Sequence, residues 1–244
     1  MPPYRSMPSK NNGDGRSYMK LSRRTLALLI IFGVLIADQI FKIWIKTHLT
    51  MGQTLHVIGN WFLIRFIENP GMAFGIDLPG ELGKPALSIF RMIAVIAIGW
   101  YLHKLIRQKV STGLIACVAL ILAGAAGNII DSAFYGLIFN ESTYISTAVM
   151  FPEGGGYAPF LYGRVVDMLY FPVINTHYPD WLPWLGGKEL VFFRPIFNLA
   201  DSSITTGVIT ILIFQNRFFK HELAEAKPAA DKEIPEQENK PVQP

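Results

Sequence analysis

The chain has 244 residues, of which 51% are hydrophobic and only 16% charged, with a formal net charge of +4 and a mean hydropathy of +0.32. That balance excludes an ordinary soluble domain and leaves a small integral membrane protein: one helical bundle with a modest extramembrane element. The single cysteine, Cys117, excludes a disulfide framework and a cysteine metal site, and no nucleic-acid partner is expected.

Residues 1–24 are polar and hold Arg5, Lys10, Arg16, Lys20, Arg23 and Arg24, which reads as a disordered basic tail. The apolar run from Thr25 to Ile45 is long enough to cross a hydrocarbon core, which takes roughly 20 residues. It reads as a retained helix, because Ala37-Asp38-Gln39 offers no small-residue cleavage site. Asp38 and Lys42 lie four apart on one face and can neutralise each other inside a bundle.

In the connection 46–84, Thr54–Ile58 and Trp61–Phe66 flank Gly59-Asn60, a two-residue hairpin turn, so a small sheet is expected on the membrane surface. Its aromatics, with Trp181 and Trp184, suit the headgroup level. A second run, Pro85 to Leu102, carries Arg91 about 9 Å inside it at 1.5 Å per residue. The third, Gly113 to Ile130, has a small-residue face at Ala123 and Gly127 and ends on Asp131. The connection 139–195 contains Asp167, and its Asn140-Glu141-Ser142 matches a glycosylation acceptor triplet, a common chance match. The fourth run, Asn198 to Phe219, holds Asp201 about 6 Å from its start, and residues 220–244 form a second polar tail.

The expected fold is therefore an all-α membrane protein: four transmembrane helices spanning 25–219, with a small extracytoplasmic β-sheet on the outer membrane surface. An even number of spans puts both termini on one side. The basic N-terminal tail, the link with Lys104, Arg107 and Lys109, and Arg217 with Lys220 make that side cytoplasmic. Asp38, Asp131, Asp167 and Asp201 then all lie toward the outer face.

An ionisable carboxylate inside a membrane segment is expensive and is a functional candidate by default. The five histidines are scattered, no HExxH pair exists, and Gly154-Gly155-Gly156 lacks the Lys-Ser/Thr of a phosphate loop. Carboxylates remain. Two aspartates held close together cannot both ionise, so one can activate water while the other donates to a carbonyl oxygen, which is aspartic peptidase chemistry. Spacing alone leaves open which two of the four converge.

Five blocks occur in order: Asp38-Gln39-Ile40-Phe41-Lys42, Asn69-Pro70-Gly71-Met72-Ala73-Phe74, Gly124-Ala125-Ala126-Gly127-Asn128-Ile129-Ile130-Asp131, Gly163-Arg164-Val165-Val166-Asp167 and Pro195-Ile196-Phe197-Asn198-Leu199-Ala200-Asp201. Together, from about Leu26 to Phe218, they resemble the lipoprotein signal peptidases, or signal peptidase II family. The resemblance implies a catalytic dyad of Asp167 and Asp201, and supporting or substrate-binding roles for Asn69, Asn128, Asp131 and Asn198. It also implies a bacterial inner-membrane endopeptidase that cuts prolipoproteins just before a diacylglyceryl-modified cysteine, with no metal or other cofactor. The expected partners are those precursors and membrane lipids, and the protein is expected to be a monomer. Asp38 and Lys42 are assigned structural support.

Two departures stand out. The family has Asp-Arg where this chain has Asp131-Ser132, so Arg91 or Arg164 is expected to take the missing arginine's place. An insertion from about Phe139 to Tyr162 also separates two blocks, either as a flexible lid or as a surface embellishment. The alternative function is a proton- or ion-coupled membrane carrier, which would place acids at mid-bilayer and often show repeats; here the acids crowd one face. A noncatalytic membrane scaffold would leave their cost unexplained.

Overall fold

A computed structural model describes residues 21–70, 83–172, 174–177, 181, 183–184, 187, 189–192 and 196–230. Residues 71–74 and Pro195 of the recognised blocks, and residues 1–20 and 231–244 of the two expected tails, lie outside the described residues.

Helix α1 (Arg23–His48) starts at Ser22, whose hydroxyl accepts the Thr25 N–H at 3.1 Å, satisfying a donor that the first turn leaves without a helical partner. Its burial is inverted relative to a soluble helix. Leu28, Leu29, Phe32, Ile36 and Ile40 are exposed, while Asp38, Lys42 and Lys46 are buried together with Ala27 and Ile45. An apolar outer surface over a polar inner face is what a hydrocarbon solvent selects.

Helix α2 (Gly83–Arg107) admits Pro85 in its first turn, where a missing N–H costs nothing, and exposes Phe90, Ile93, Ile96 and Trp100. Helix α3 (Thr112–Ile130) is capped by Ser111 and packs against α1, α2 and α5 (Leu199–Ala230). Its closest approach is to α5. A Cβ on Gly207 would sit 2.7 Å from the Cys117 carbonyl, and one on Gly124 would collide with the Ala200 carbonyl. Among the described residues, α1, α2 and α3 are long and apolar enough to cross a membrane. The fourth apolar run opens α5, which departs from helical geometry at Phe214 and continues past Phe219 to Ala230.

After Ile130 the chain makes one π turn (Asp131–Tyr135) and a short α4 (Gly136–Ile138). The widened turn leaves carbonyls for the returning chain. Ser132 O accepts the Gly163 N–H at 2.8 Å, and Gly136 O accepts the Ala158 N–H at 3.0 Å.

The sheet is antiparallel in the order β1 (Thr54–Ile58), β2 (Phe62–Asn69), β3 (Val165–Tyr170), β6 (Ile196–Phe197); β4 (Ile174–His177) and β5 (Glu189–Phe192) pair separately. The β1–β2 connection takes Trp61 as well as the expected Gly59-Asn60, with Gly59 at φ +52°, a left-handed conformation suited to glycine. In the β2–β3 register Ile67 faces Asp167, Glu68 faces Val166 and Asn69 faces Val165. One side of this sheet closes a core of Ile45, Leu49, Phe66, Tyr135, Phe139, Ala148, Val166 and Met168.

The insertion contributes to that core through Phe139 and Ala148, and it is sewn to the scaffold by its backbone. Ala148 N–H donates to Lys46 O, Met51 N–H to Thr143 O and Phe151 N–H to Ile138 O. These bonds tie the insertion to the end of α1 and to the chain that follows the π turn.

Candidate active site

Strand β3 carries Asp167 and the first turn of α5 carries Asp201. Asn198 precedes α5 as its cap: its Oδ1 accepts the Asp201 N–H at 2.9 Å, and its own N–H donates to Asp201 Oδ2 at 3.3 Å. This reciprocal capping fixes the Asp201 side chain against the helix start. The Asn198 amide nitrogen then reaches out of the helix to Asp167 Oδ1 at 2.7 Å and Asn128 Oδ1 at 3.1 Å. Asn128, in the last turn of α3, donates to Asp201 Oδ1 at 2.8 Å, and Asn69, at the end of β2, donates to Asp167 Oδ2 at 3.2 Å.

Two amides thus bridge the two carboxylates, from Asp167 through Asn198 and Asn128 to Asp201. Asp167 is buried and Asp201 half-buried. Burial pushes the Asp167 carboxyl up to about 7, the negative charge of Asp201 adds to the rise, and the hydrogen bonds from Asn198 and Asn69 oppose it.

Behind this pair lies a second, fully buried layer. Lys42 Nζ stands 2.8 Å from both Asp38 Oδ2 and Asp131 Oδ2, and donates to Asn128 Oδ1 at 2.9 Å. Asp38 Oδ1 accepts the Ala200 N–H at 2.9 Å, and Asp131 Oδ2 accepts the Val166 N–H at 3.2 Å. The Asp38–Lys42 pair was legible from its spacing; its bridge to Asp131 was not. Gln39, missing from the sequence candidates, donates to Asp131 at 2.9 Å and Asp38 at 3.2 Å and accepts the Tyr135 hydroxyl at 3.1 Å.

The two arginines part company. Arg91 is half-buried on α2 and is coupled electrostatically to Asp201 and, less strongly, to Asp167. Arg164 turns away from the carboxylates. Its guanidinium bonds Glu68 at 3.1 Å and Glu141 at 3.0 Å and lies over the Tyr157 ring. Burial works against the Arg164 charge, and the hydrogen bonds to Glu141 and Glu68 outweigh it, holding its pKa above the ordinary arginine value.

Glu68 is the hub of that outer cluster. Buried beside Asn69 in β2, it pairs with Lys46 of α1 and accepts the Ser142 hydroxyl at 2.8 Å, while Lys46 also donates to Ser142 at 2.9 Å. None of Glu68, Lys46 or Ser142 was a sequence candidate. A signal did exist, since Asp38, Lys42 and Lys46 recur every four residues on one face of an otherwise apolar helix. The triplet Asn140-Glu141-Ser142 serves this cluster with its last two residues, and Asn140 accepts the Val149 N–H at 2.6 Å.

A family model described as Signal peptidase (SPase) II matches residues 30–217. The lipoprotein signal peptidase of Porphyromonas gingivalis is 49% identical over 191 residues, covering 78% of this chain and 82% of that one. The lipoprotein signal peptidase of Amoebophilus asiaticus is 35% identical over 224 residues, 90% of this chain and 89% of that one. A solved bacterial membrane enzyme, 26% identical, superposes with a TM-score of 0.50 over 89% of this chain and 94% of its own. With the family model covering well over half of the chain, and with relatives this close over most of their length, the chain belongs to the signal peptidase II family.

Proposed function

We propose that Asp167 and Asp201 share one proton and together hydrolyse the peptide bond that joins a signal peptide to a diacylglyceryl-modified cysteine. As a member of its family the protein is an aspartic peptidase that removes signal peptides from prolipoproteins, and the carrier reading is not favoured. The observation that carries the dyad assignment is the amide bridge from Asp167 through Asn198 and Asn128 to Asp201. It holds two carboxylates in one electrostatic unit, and the raised Asp167 supports that residue as the holder of the shared proton below about pH 7.

In this reading Asp201 takes a proton from water as the water oxygen attacks the scissile carbonyl carbon, while protonated Asp167 donates to the carbonyl oxygen. The tetrahedral diol collapses when a proton passes to the departing amide nitrogen, the C–N bond breaks, and the dyad returns with one proton. Arg91, coupled electrostatically to Asp201 and Asp167, is assigned to hold a substrate carbonyl or lipid ester. The apolar run that opens α5 provides a fourth crossing, both termini are cytoplasmic, the carboxylates face outward and the enzyme acts as a monomer. The charge asymmetry of the connections supports that orientation. A bond anchored by its acyl chains at the bilayer boundary then meets the dyad without leaving the membrane surface.

The test is cleavage of a lipidated precursor peptide by protein reconstituted into vesicles. Asp167→Asn and Asp201→Asn, each still folded and inserted, should lose on the order of a thousandfold in rate or more. Turnover within tenfold of the parent in either variant removes that residue from the dyad.

A further inference from the structure

Residues Thr143 to Phe151 contain no charged side chain, yet Tyr144 is 79% exposed, Ile145 93%, Val149 56% and Phe151 74%. Their presentation is built in. The Thr143 hydroxyl accepts the N–H groups of Ile145 at 3.2 Å and Ser146 at 2.9 Å, and Thr143 N–H donates to Ser146 O at 3.1 Å, which closes a tight turn with Tyr144 and Ile145 at its apex. Further along, Ala148, Val149 and Phe151 donate their N–H groups to Lys46 O, Asn140 Oδ1 and Ile138 O. These bonds hold the apolar side chains outward on a fixed backbone.

The turn is also held at a defined height. Its backbone bonds to Lys46 and Met51 fix it beside the last turn of α1. There the lipid-facing stripe of α1 ends in exposed Phe41 and Trp44, with Trp44 stacked on His48 at 5.2 Å, the aromatic signature of a membrane–water boundary. The same bonds bring the apolar turn to that end of α1.

We propose that the turn is a membrane foot, with Tyr144, Ile145, Val149 and Phe151 entering the headgroup–acyl boundary of the leaflet where α1 ends. The partner is the lipid surface itself. An uncharged apolar apex, tied by backbone bonds to the end of a membrane-spanning helix, fits that surface better than it fits a polar protein partner. Because the insertion is bonded to the π turn and leads directly into β3, the foot fixes the depth at which Asp167 stands relative to the membrane.

The test replaces buried Cys117 with serine and attaches a polarity-sensitive fluorophore at Ile145→Cys, with Gly154→Cys, whose Cβ position opens to empty space, as the water-facing control. The protein is placed in phosphatidylethanolamine–phosphatidylglycerol vesicles. Quenching by lipid carrying a doxyl group near the carbonyl end of its acyl chain is compared with quenching by iodide on both sides of the membrane. Quencher in both leaflets makes the result independent of orientation. The expected result is at least threefold stronger lipid quenching at position 145 than at 154, and the reverse for iodide. Equal iodide access at the two positions overturns the foot. So does protection of position 145 from both quenchers, which would place a second protein copy over it.

Discussion

Asp38 in α1 accepts the backbone N–H of Ala200 at 2.9 Å, so an aspartate 162 positions away in sequence grips the peptide next to Asp201. Asp131 does the same for Val166, the residue before Asp167. Each proposed reacting carboxylate is therefore placed by another carboxylate that binds its neighbour's backbone, and Lys42 joins the two holders.

Lys42 is buried between acids that have little else to neutralise them, so Lys42→Met should leave two uncompensated buried carboxylates. Loss of one partner from a buried pair costs about 3–5 kcal/mol. The variant should unfold many degrees below the parent in detergent and accumulate poorly. Thermal unfolding within a degree or two of the parent would show that the bundle tolerates both acids unpaired.

The raised Asp167 pKa has consequences for both rate and stability. A carboxyl at about 7 is protonated below that pH and ionised above it, so cleavage that needs the shared proton should fall as pH rises through about 7. For stability the folded value lies above the unfolded one. The group thus contributes fully below the unfolded carboxylate pKa, and its contribution is lost as pH rises through about 7. Asp167→Asn, which cannot ionise, should gain in melting temperature relative to the parent between pH 5 and pH 8. A constant difference across that range would contradict the shift.

Arg91 and Arg164 can be separated by conservative change. A lysine at Arg91 keeps the charge and loses the planar fork, so Arg91→Lys should lower kcat/KM about tenfold or more. Arg164→Lys should cost mainly thermal stability, because that guanidinium is spent on Glu68 and Glu141. Parent-like cleavage by Arg91→Lys, beside an impaired Arg164→Lys, would reverse the assignment.

Glu68 sits next to Asn69, which donates to Asp167, and its cluster fastens α1, the insertion and the start of β3 to β2. Glu68→Gln should lower kcat several-fold with little change in KM. In an Asn69→Ala background it should lower kcat no further, since the effect passes through that amide. Fully additive losses in the double variant would show that Glu68 acts on something other than Asn69.

How much of this was readable from the sequence depends on range. The Asp38–Lys42 pair follows from one helical turn, and the β1–β2 hairpin from its glycine and asparagine. The apolar stretches give the helices with ends displaced by a few residues: Thr25–Ile45 became Arg23–His48, and Pro85–Leu102 became Gly83–Arg107. What escaped was whatever needs the third dimension. Glu68 meets Lys46 across 22 residues and Ser142 across 74, and nothing local in a β-strand marks a glutamate as buried. Gln39 passed as one polar residue beside an aspartate, although its amide ties Asp38, Asp131 and Tyr135 together. Arg164 stood inside a recognised block, and only the fold reveals that its side chain leaves the carboxylates.

The π turn at Asp131–Tyr135 has an evolutionary implication. Because its freed carbonyls hold the returning chain through backbone N–H groups, side chains between 156 and 163 can drift without loosening the attachment, except where the backbones touch. A Cβ at Gly163 would collide with the Asp131 carbonyl, and one at Gly156 with that of Gly136. Selection on this segment is thus expected to act through two glycines and through chain length. A single-residue deletion in the turn would rotate everything after it by about 100° and uncouple the insertion in one step, a barrier that favours keeping the whole segment or losing all of it.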